Sequence, residues 1–283
     1  MKGPERSQLS VLMACYAGDT PEQLRRSLAS VTVDQTRRPD QVVLVVDGPV
    51  SSGLDDVIAA AVDTLPAEIS IHRLECNQGL SAALTAGLAL CRHDIVARQD
   101  ADDVSRPERF AVQVPLLEAG ADLVGSALQE FTDDPDQPSD LGLVRVPPLL
   151  HDAIVSGARF HQPFFHPTVI FRRSSVLAVG GYEHLASLED YWLFARMLQA
   201  GARVANVPEA LVAYRVGAGA YGRRGGVSLL RSEIELQRQF RRIGFTTTFQ
   251  FARNVTVRGA YRLVPEGLRR TVYRRFLAQR GHT

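Results

Sequence analysis

The sequence has few cysteines and no long apolar run, and both absences narrow the class of protein. Its 283 residues include only three cysteines, Cys15, Cys76 and Cys91. An odd number without metal-site spacing predicts reduced, buried thiols in a cytoplasmic protein. Residues 1–16 lack the apolar stretch of a signal peptide, and no segment reaches the roughly 18 apolar residues of a membrane-spanning helix. We therefore expect a soluble or peripheral membrane protein.

Lysine is absent from the last part of the chain, which is nevertheless strongly basic. Residues 223–283 contain 14 arginines and three acids, a charge of +11, whereas the whole chain carries +1. The first 222 residues therefore carry −10. An acidic body with an Arg-rich end predicts two surfaces with different partners. Because the acidic body offers no extended basic groove and no recognition motif, we expect no nucleic-acid partner.

Short apolar runs alternate with helix-like segments through the first 120 residues. The predicted strands are 9–16, 41–48, 69–74 and 94–100, and the predicted helices are 20–31, 54–62, 79–90 and 107–120. Strands separated by helices in this way predict an α/β protein with a doubly wound, mostly parallel sheet.

The second half is less regular. Residues 131–148 are rich in Asp and Pro and are expected to form a connecting loop. Beyond this loop the pattern predicts strands at 166–173, 202–207 and 210–216 and helices at 188–201, 227–243 and near the C-terminus.

Polar side chains follow three of the predicted parallel strands. Tyr16 follows the first strand, Asp47 the second, and Asp100 and Asp102 the fourth. Ligands bind beyond the carboxyl ends of the strands in such sheets. Two carboxylates in Asp-x-Asp spacing suit a hard cation such as Mg²⁺ or Mn²⁺, which completes its shell with water and phosphate oxygens. The alternative is an Asp-rich turn in which Asp103 or Ser105 caps the helix near Pro107.

Four stretches together resemble family 2 glycosyltransferases in order and spacing over roughly residues 8–245. They are "SVLMACYAGDTPEQLRRSLASVTVDQTRRPDQVVLVVDGP", "NQGLSAALTAGLALCRHDIVARQDADD", "HPTVIFRRSSVLAVGGY" and "LEDYWLFARM". The stretch "YRVGAGAYGRRGG" followed by "LLRSEIELQRQFRRIGF" is similar to the bacterial subgroup that builds capsule, exopolysaccharide and cell-envelope glycans.

The resemblance implies a GT-A fold and a metal-dependent hexosyl- or deoxyhexosyltransferase that inverts the anomeric carbon of a UDP-, dTDP- or GDP-linked sugar. By position, Asp100 and Asp102 match the element that holds Mg²⁺ or Mn²⁺ on the donor diphosphate. Asp47 matches an acid that contacts the nucleoside, and Tyr16 lies where a ring often packs against the base. The implied acceptor is a hydroxyl of a lipid-linked or envelope glycan.

The stretch "LED" matches the element that carries the catalytic base, assigned to Asp190 with Glu189 as second choice. A carboxylate suits this role because the acceptor hydroxyl must lose its proton. An acidic first turn that complements a helix dipole is the alternative. Three departures from the family pattern, Val46, Thr85 and Ala17, stand where many members have an acid, an Asn and an Asn.

Other polar residues are weaker candidates. On the acceptor side they are His166, with His161 behind it, and Trp192, although a packed histidine and a core-filling tryptophan are the alternatives. Arg223 and Arg224, between glycines, form either a loop that closes over donor phosphates or an exposed basic linker.

The domain organisation predicted is a catalytic domain over 1–222, with a nucleotide-sugar half at 1–130 and an acceptor half at 149–222, and an Arg-rich helical extension over 223–283. From Leu268 onward, apolar residues at helical spacing are flanked by arginines, which predicts either a membrane-surface helix or a terminal helix packed on the body. This favours a location at the inner face of the plasma membrane. The rival functions are a sugar-nucleotide nucleotidyltransferase and a catalytically silent membrane-associated scaffold.

Overall fold

A computed structural model describes residues 6–217 and 227–263. Its strands are β1 (Leu9–Tyr16), β2 (Gln41–Asp47), β3 (Glu68–Leu74), β4 (Ile95–Asp100), β5 (Val104–Ser105), β6 (Leu123–Phe131), β7 (Leu141–Arg145), β8 (Ile170–Arg172) and β9 (Val204–Arg215). Its helices are α1 (Pro21–Ser30), α2 (Ser52–Thr64), α3 (Leu80–Leu90), α4 (Arg109–Glu118), α5 (His151–Gly157), α6 (Arg173–Ala178), α7 (Glu189–Gln199), α8 (Val227–Arg242) and α9 (Thr248–Leu263).

The strands form one mixed sheet in the order β3-β2-β1-β4-β8-β6-β9-β5, with β7 paired to β6. The first four strands in this order are mutually parallel, which confirms the α/β class and the doubly wound first half. In the second half β8 runs antiparallel to both β4 and β6, whereas β9 runs parallel to β6. The predicted doubly wound, mostly parallel sheet is therefore confirmed, with antiparallel pairs confined to β5–β9, β6–β7 and the two sides of β8.

Helices cover both faces of the sheet because successive strand residues point to opposite sides. On one face, Val11 and Met13 of β1 pack in a cluster with residues of α1, α2 and α4. On the other face, Leu12 packs with α3 and, further along the sheet, with α7 and α8. Gly87 lets α3 approach closely, since a Cβ there would lie 2.4 Å from Leu12 Cδ1 and 2.8 Å from Val45 Cγ2.

Several elements differ from the sequence prediction. Strand β6 was not predicted, and the segment expected to be a loop, 131–148, contains β7. The predicted strand 166–173 begins as a 3-10 turn, His166–Thr168, and retains only β8. The two predicted strands 202–207 and 210–216 are one strand, β9, whose register shifts opposite Ser126–Leu128 of β6. The shift lies next to Pro208, which has no N–H to give to the ladder.

Helix α8 follows the undescribed stretch 218–226 and packs on α7 with Phe240, whose ring centroid is 5.1 Å from that of Tyr191. The predicted domain boundary at 222/223 and the predicted amphipathic helix from Leu268 lie outside the described residues. Among residues 6–217 and 227–263, no helix combines the length and the apolar character that a bilayer crossing requires.

Candidate active site

The carboxyl ends of the parallel strands bring the predicted polar residues to one edge of the sheet. Tyr16 pairs in register with Asp47 across β1 and β2, and Asp100 pairs with Ala14 across β4 and β1. Tyr16 is 50% exposed, and its ring lies over Gly18, where a Cβ would be 2.4 Å from ring atoms. An aromatic surface therefore stands open at this edge.

The carboxylate of Asp47 is hydrogen-bonded to the segment that leads into α3. Its Oδ1 accepts from the backbone N–H of Gln78 at 2.7 Å, and its Oδ2 accepts from that of Gly79 at 2.9 Å. The carboxylate thereby fixes the entry to the helix, and the side chain is 5% exposed. A direct contact between Asp47 and a nucleoside stays a prediction.

Asp100, Asp102 and Asp103 form a carboxylate cluster whose oxygens lie within 4.8 Å of one another. Asp100 and Asp102 are half-buried, whereas Asp103 is fully buried. The Oδ1 of Asp103 accepts from the backbone N–H of Arg215 at 2.8 Å, and its Oδ2 has no hydrogen-bond partner among the described residues. Asp103 thus belongs to the cluster, and no side chain caps α4, whose N-cap residue is Glu108.

Burial and mutual repulsion disfavour the charged forms of these acids. Burial, with the charge of Asp100, raises the pKa of Asp102 to about 6. The same causes, with the charge of Asp102, raise the pKa of Asp103 well above its usual range. A buried carboxylate oxygen without a partner, beside two half-buried carboxylates, is a donor set that fits a hard divalent cation. Asp100 and Asp102 are the two that face open space.

Arg98 lies behind this cluster and was not predicted as a site residue. Its guanidinium is 2% exposed and forms an ion pair with Asp100. Its Nε and Nη1 are also buried, and within the described part of the chain neither has a hydrogen-bond partner. Buried guanidinium N–H groups almost always have partners, so Arg98 is poised to donate to something further. The sequence hinted at a special role for Arg98 only by placing a charged residue inside a strand predicted to be buried.

A fourth acid, Asp19, was also missed. It lies in the turn after β1, where its Oδ2 accepts from the backbone N–H of Tyr16 at 2.9 Å. Burial raises the pKa of Asp19 to about 6, and the charges of Asp102 and Asp100 add to the rise. Asp19 therefore belongs to the same electrostatic neighbourhood, and the rule that polar residues after strand ends converge would have found it.

Arg215, at the end of β9, ties the acidic turn to the other half of the molecule. Besides its backbone contact to Asp103, its Nε donates to the carbonyl of Asp102 at 3.1 Å and its Nη1 to that of Thr132 at 2.8 Å. Its guanidinium lies 4.5 Å from the centroid of the Phe131 ring. The backbone that carries the carboxylate cluster is thereby held from both sides.

A second acidic pair, Glu189 and Asp190, opens helix α7. The Oδ1 of Asp190 accepts from the backbone N–H of Tyr191 at 2.7 Å, and its Oδ2 accepts from the Gln162 amide. Burial and the charge of Glu189 raise the pKa of Asp190 to about 7. Burial also raises the pKa of Glu189, and the charge of Arg98 opposes the rise at both acids. Arg98 thus lies electrostatically between the carboxylate cluster and the α7 acids.

The chain is similar to known proteins in sequence and in fold. The model of the family described as "Glycosyl transferase family 2" matches residues 10–180. The chain belongs to this family. The matched range holds the carboxylate cluster and Arg98 but ends before the α7 acids. The family assignment supports a glycosyltransferase and gives no support to the nucleotidyltransferase alternative.

Two curated relatives cover most of this glycosyltransferase. The amylovoran biosynthesis glycosyltransferase AmsE of Erwinia amylovora is 39% identical over 231 residues, 81% of this chain and 84% of AmsE. A second, from Escherichia coli, is named UDP-Gal:alpha-D-GlcNAc-diphosphoundecaprenol beta-1,3-galactosyltransferase. It is 34% identical over 272 residues, 95% of this chain and 96% of the relative.

Solved structures share the fold of this glycosyltransferase. A mannosyltransferase from Pyrobaculum calidifontis, in complex with GDP-Man and Mn²⁺, has a TM-score of 0.65 at 17% identity and covers 99% of this chain and 77% of its own. S. aureus TarS 1–349 in complex with UDP-GlcNAc has a TM-score of 0.62 at 15% identity and covers 82% of this chain and 66% of its own. The fold is therefore GT-A, with helices at the C-terminal end.

The acceptor-side candidates of this glycosyltransferase lie in its core. His166 is 7% exposed, and its Nε2 is 2.9 Å from the hydroxyl of Tyr182. Trp192 is 5% exposed, and its indole N–H donates to Glu183 at 2.8 Å. Both side chains are thus packed and hydrogen-bonded, as the alternative expects, and a role for either on the acceptor side stays a prediction. Arg223 and Arg224 lie outside the described residues.

Proposed function

We propose that this glycosyltransferase moves a hexose or deoxyhexose from a UDP-, dTDP- or GDP-linked donor to a hydroxyl of a lipid-linked or envelope glycan, with inversion. The observation that carries the proposal is the grouping of two sets of acids around one buried arginine. The carboxylate cluster of Asp100, Asp102 and Asp103 supplies a site for the donor diphosphate. The α7 acids supply a base for the acceptor.

At the donor end, Asp100 and Asp102 would hold a divalent cation, Mn²⁺ or Mg²⁺. Such an ion acts as a Lewis acid that offsets the charge of the leaving diphosphate. Asp103 fixes the turn through the backbone of Arg215 and keeps the two ligating side chains at the mouth of the site. The exposed ring of Tyr16 offers a stacking surface for the nucleobase. The solved mannosyltransferase complex with GDP-Man and Mn²⁺ supports this use of the fold.

At the acceptor end, Asp190 would take the proton of the attacking hydroxyl. The hydroxyl oxygen bonds to the anomeric carbon on the face opposite the diphosphate, the bond from that carbon to the diphosphate oxygen breaks, and the configuration inverts. A base with a pKa of about 7 is matched to this proton transfer near neutral pH. The Gln162 amide and the Tyr191 N–H orient its two oxygens. Glu189 is the second choice.

The acceptor is the part of the proposal that draws on the relatives. The Escherichia coli relative is named for an acceptor carried on diphosphoundecaprenol, and AmsE is named for the biosynthesis of a polysaccharide. A lipid-linked acceptor would place this enzyme at the inner face of the plasma membrane. The Arg-rich extension 223–283 would contribute a peripheral membrane contact there.

The test is turnover of a panel of UDP-, dTDP- and GDP-sugars, with Mn²⁺, with Mg²⁺ and with chelator. We expect one donor to be used, turnover to require the ion, Asp102→Asn to abolish the response to the ion, and Asp190→Asn to lower kcat by about 10²–10⁴-fold. The exposed acid Asp63 on α2 gives a matched control, since Asp63→Asn should leave turnover unchanged. Absence of turnover, with no rise in melting temperature on addition of any nucleotide, would favour the silent scaffold instead.

A further inference from the structure

The turn between α8 and α9 presents an exposed face that is both basic and apolar. Arg241 and Arg242 end α8, and Phe249, Arg253 and Val257 follow at helical spacing along one side of α9. Phe249 is 79% exposed and Val257 56% exposed, and the three arginines are exposed as well. The Nε of Arg241 donates to the hydroxyl of Thr248, which brings the end of α8 against the start of α9. We call these five residues the basic turn.

The charge of the basic turn is not neutralised. Within the described part of the chain, none of its three arginines forms an ion pair with a carboxylate, and residues 236–263 contain no Asp or Glu. On the acidic body, the exposed Arg25 and Arg92 each pair with an acid. The positive charge is therefore concentrated where the aromatic ring protrudes.

The basic turn is fixed to the body of the protein. The Asn254 amide donates to the carbonyl of Arg159 at 2.7 Å and to the side-chain oxygen of Gln237 at 3.0 Å. Arg258 forms an ion pair with the fully buried Glu233 at 2.6 Å. These contacts face the body, whereas the side chains of Phe249 and Val257 remain exposed. The apolar exposure therefore belongs to a packed helix whose inner face already has its partners.

We propose that the basic turn is a docking surface for an anionic lipid bilayer. A helix that combines arginines with a protruding phenylalanine lies in the headgroup region, where the ring enters the acyl boundary and the guanidinium groups meet lipid phosphates. The acidic body, at −10 over residues 1–222, is repelled by the same membrane, so the preferred contact lies in the basic segment 223–283, which contains the basic turn. Single-stranded nucleic acid fits less well, because it needs a basic groove along several nucleotides.

The basic turn lies on the two helices that pack against α7, the helix that carries Asp190. Two side chains pack on the ring of Tyr191. The ring centroid of Phe240, from α8, is 5.1 Å from that of Tyr191, and Cζ of Arg258, from α9, is 5.3 Å from it. Tyr191 directly follows Asp190 on α7. A bilayer held by the basic turn would therefore contact the same two helices, α8 and α9, that pack on the residue next to the acid proposed as base. The inference rests on the proposed function and names the residues of its membrane contact, although binding to lipid itself requires neither donor nor turnover.

The test is flotation of the full-length protein with vesicles of phosphatidylcholine alone or mixed with phosphatidylglycerol, without nucleotide or acceptor. We expect binding to the mixed vesicles only, weakening as sodium chloride is raised. Each arginine near an anionic surface adds about fivefold to the binding constant, so the triple variant Arg241→Gln/Arg242→Gln/Arg253→Gln should bind on the order of 100-fold more weakly. Phe249→Ser should lose about tenfold.

Matched controls carry the same changes elsewhere on the surface. Val62 lies on α2 and is 50% exposed, and Arg38 is exposed just before β2. The control variants Val62→Ser and Arg38→Gln should bind vesicles as the unaltered protein does. Asp102→Asn should also bind normally, which separates failure of lipid binding from failure of transfer. Unchanged binding by a folded triple variant would assign the bilayer contact to another part of the chain and overturn the proposal. Binding to an oligonucleotide, lost in the triple variant, with none to vesicles, would overturn it equally.

Discussion

At the scale of single residues, the α7 acids show how position sets chemistry. Asp190 and Glu189 are adjacent, yet only Asp190 has both carboxylate oxygens oriented by donors, Tyr191 N–H and the Gln162 amide. Burial and the neighbouring charge of Glu189 bring the pKa of Asp190 to about 7, while the charge of Arg98 keeps it from rising further. The geometry thus separates a base held in one orientation from a neighbour that tunes it.

This separation predicts how transfer depends on pH. If Asp190 is the base, kcat/KM rises with pH through about 7, because the carboxyl group must be deprotonated to accept the hydroxyl proton. Glu189→Gln removes a like charge and lowers the pKa of Asp190, so the rising limb should move to lower pH while activity is retained. The measurement is kcat/KM across pH at saturating metal ion, with Asp63→Asn as the matched control.

The opposite result would reassign the roles. Loss of all activity in Glu189→Gln, with Asp190→Asn still active, would make Glu189 the base. An unshifted limb would assign the titration to the carboxylate cluster, because the pKa of Asp102 is also raised, to about 6, by burial and the charge of Asp100.

The residues that the sequence predicted well are those whose position follows from a rule about sheets. Tyr16, Asp47, Asp100 and Asp102 were placed together because carboxyl ends of parallel strands share an edge. Arg98 was missed because only the fold shows that it is buried and close to the α7 acids as well as to Asp100. Trp192 was ambiguous for a similar reason, since an apolar helix position does not reveal which face is covered.

At the scale of elements, the α8–α9 pair depends on a buried charge pair. Glu233 is fully buried and accepts from the Nε and Nη2 of Arg258 at 2.6 Å and 3.0 Å. The Nη1 of Arg258 donates to the carbonyl of Phe160 at 2.9 Å. Breaking such a pair from one side removes hydrogen bonds and an opposite charge from a group that stays buried in the core.

Arg258→Met should therefore destabilise the protein by about 3–5 kcal/mol, measured as the free energy of unfolding in urea. The double variant Glu233→Gln/Arg258→Met should recover part of this loss, because the buried side chain at position 233 then carries no charge. Glu22→Gln, which breaks the exposed pair with Arg25, is the matched control and should cost less than about 1 kcal/mol. Equal losses in the single and double variants would show that packing of the Arg258 side chain on Tyr191, rather than charge, holds the pair.

Strands β1 to β4 and helices α1 to α4 were predictable because each has its own local apolar pattern, and α1 and α2 also have a side-chain cap. Helix α1, for example, begins with a capping box at Thr20 and a proline in its first turn, both legible in the sequence. The second half is built from contacts that lie far apart in sequence. Strand β8 has three residues between antiparallel neighbours, and β7 exists only through its pairing with β6. The local sequence pattern does not predict such strands.

At the scale of the whole molecule, two separate surfaces of opposite charge suit two different partners. The acids at the carboxyl edge of the sheet suit a cation and a diphosphate, whereas the basic turn suits an anionic surface. Helix α7 connects them, since it carries Asp190 at its start and packs on α8 through Tyr191. A bound bilayer would hold a lipid-linked acceptor near the base without altering the base itself.

This connection predicts a split between two acceptors. With a lipid-linked acceptor embedded in anionic vesicles, the triple variant Arg241→Gln/Arg242→Gln/Arg253→Gln should show an apparent KM for acceptor raised on the order of 100-fold, following its loss of vesicle binding. With a water-soluble acceptor that lacks the lipid, its kcat and KM should match those of the unaltered protein, because the arginines do not touch the reacting groups. Asp102→Asn should lose activity toward both. Equal impairment of the triple variant toward both acceptors would mean that the basic turn supports the active site through α7 and does not present it to a membrane.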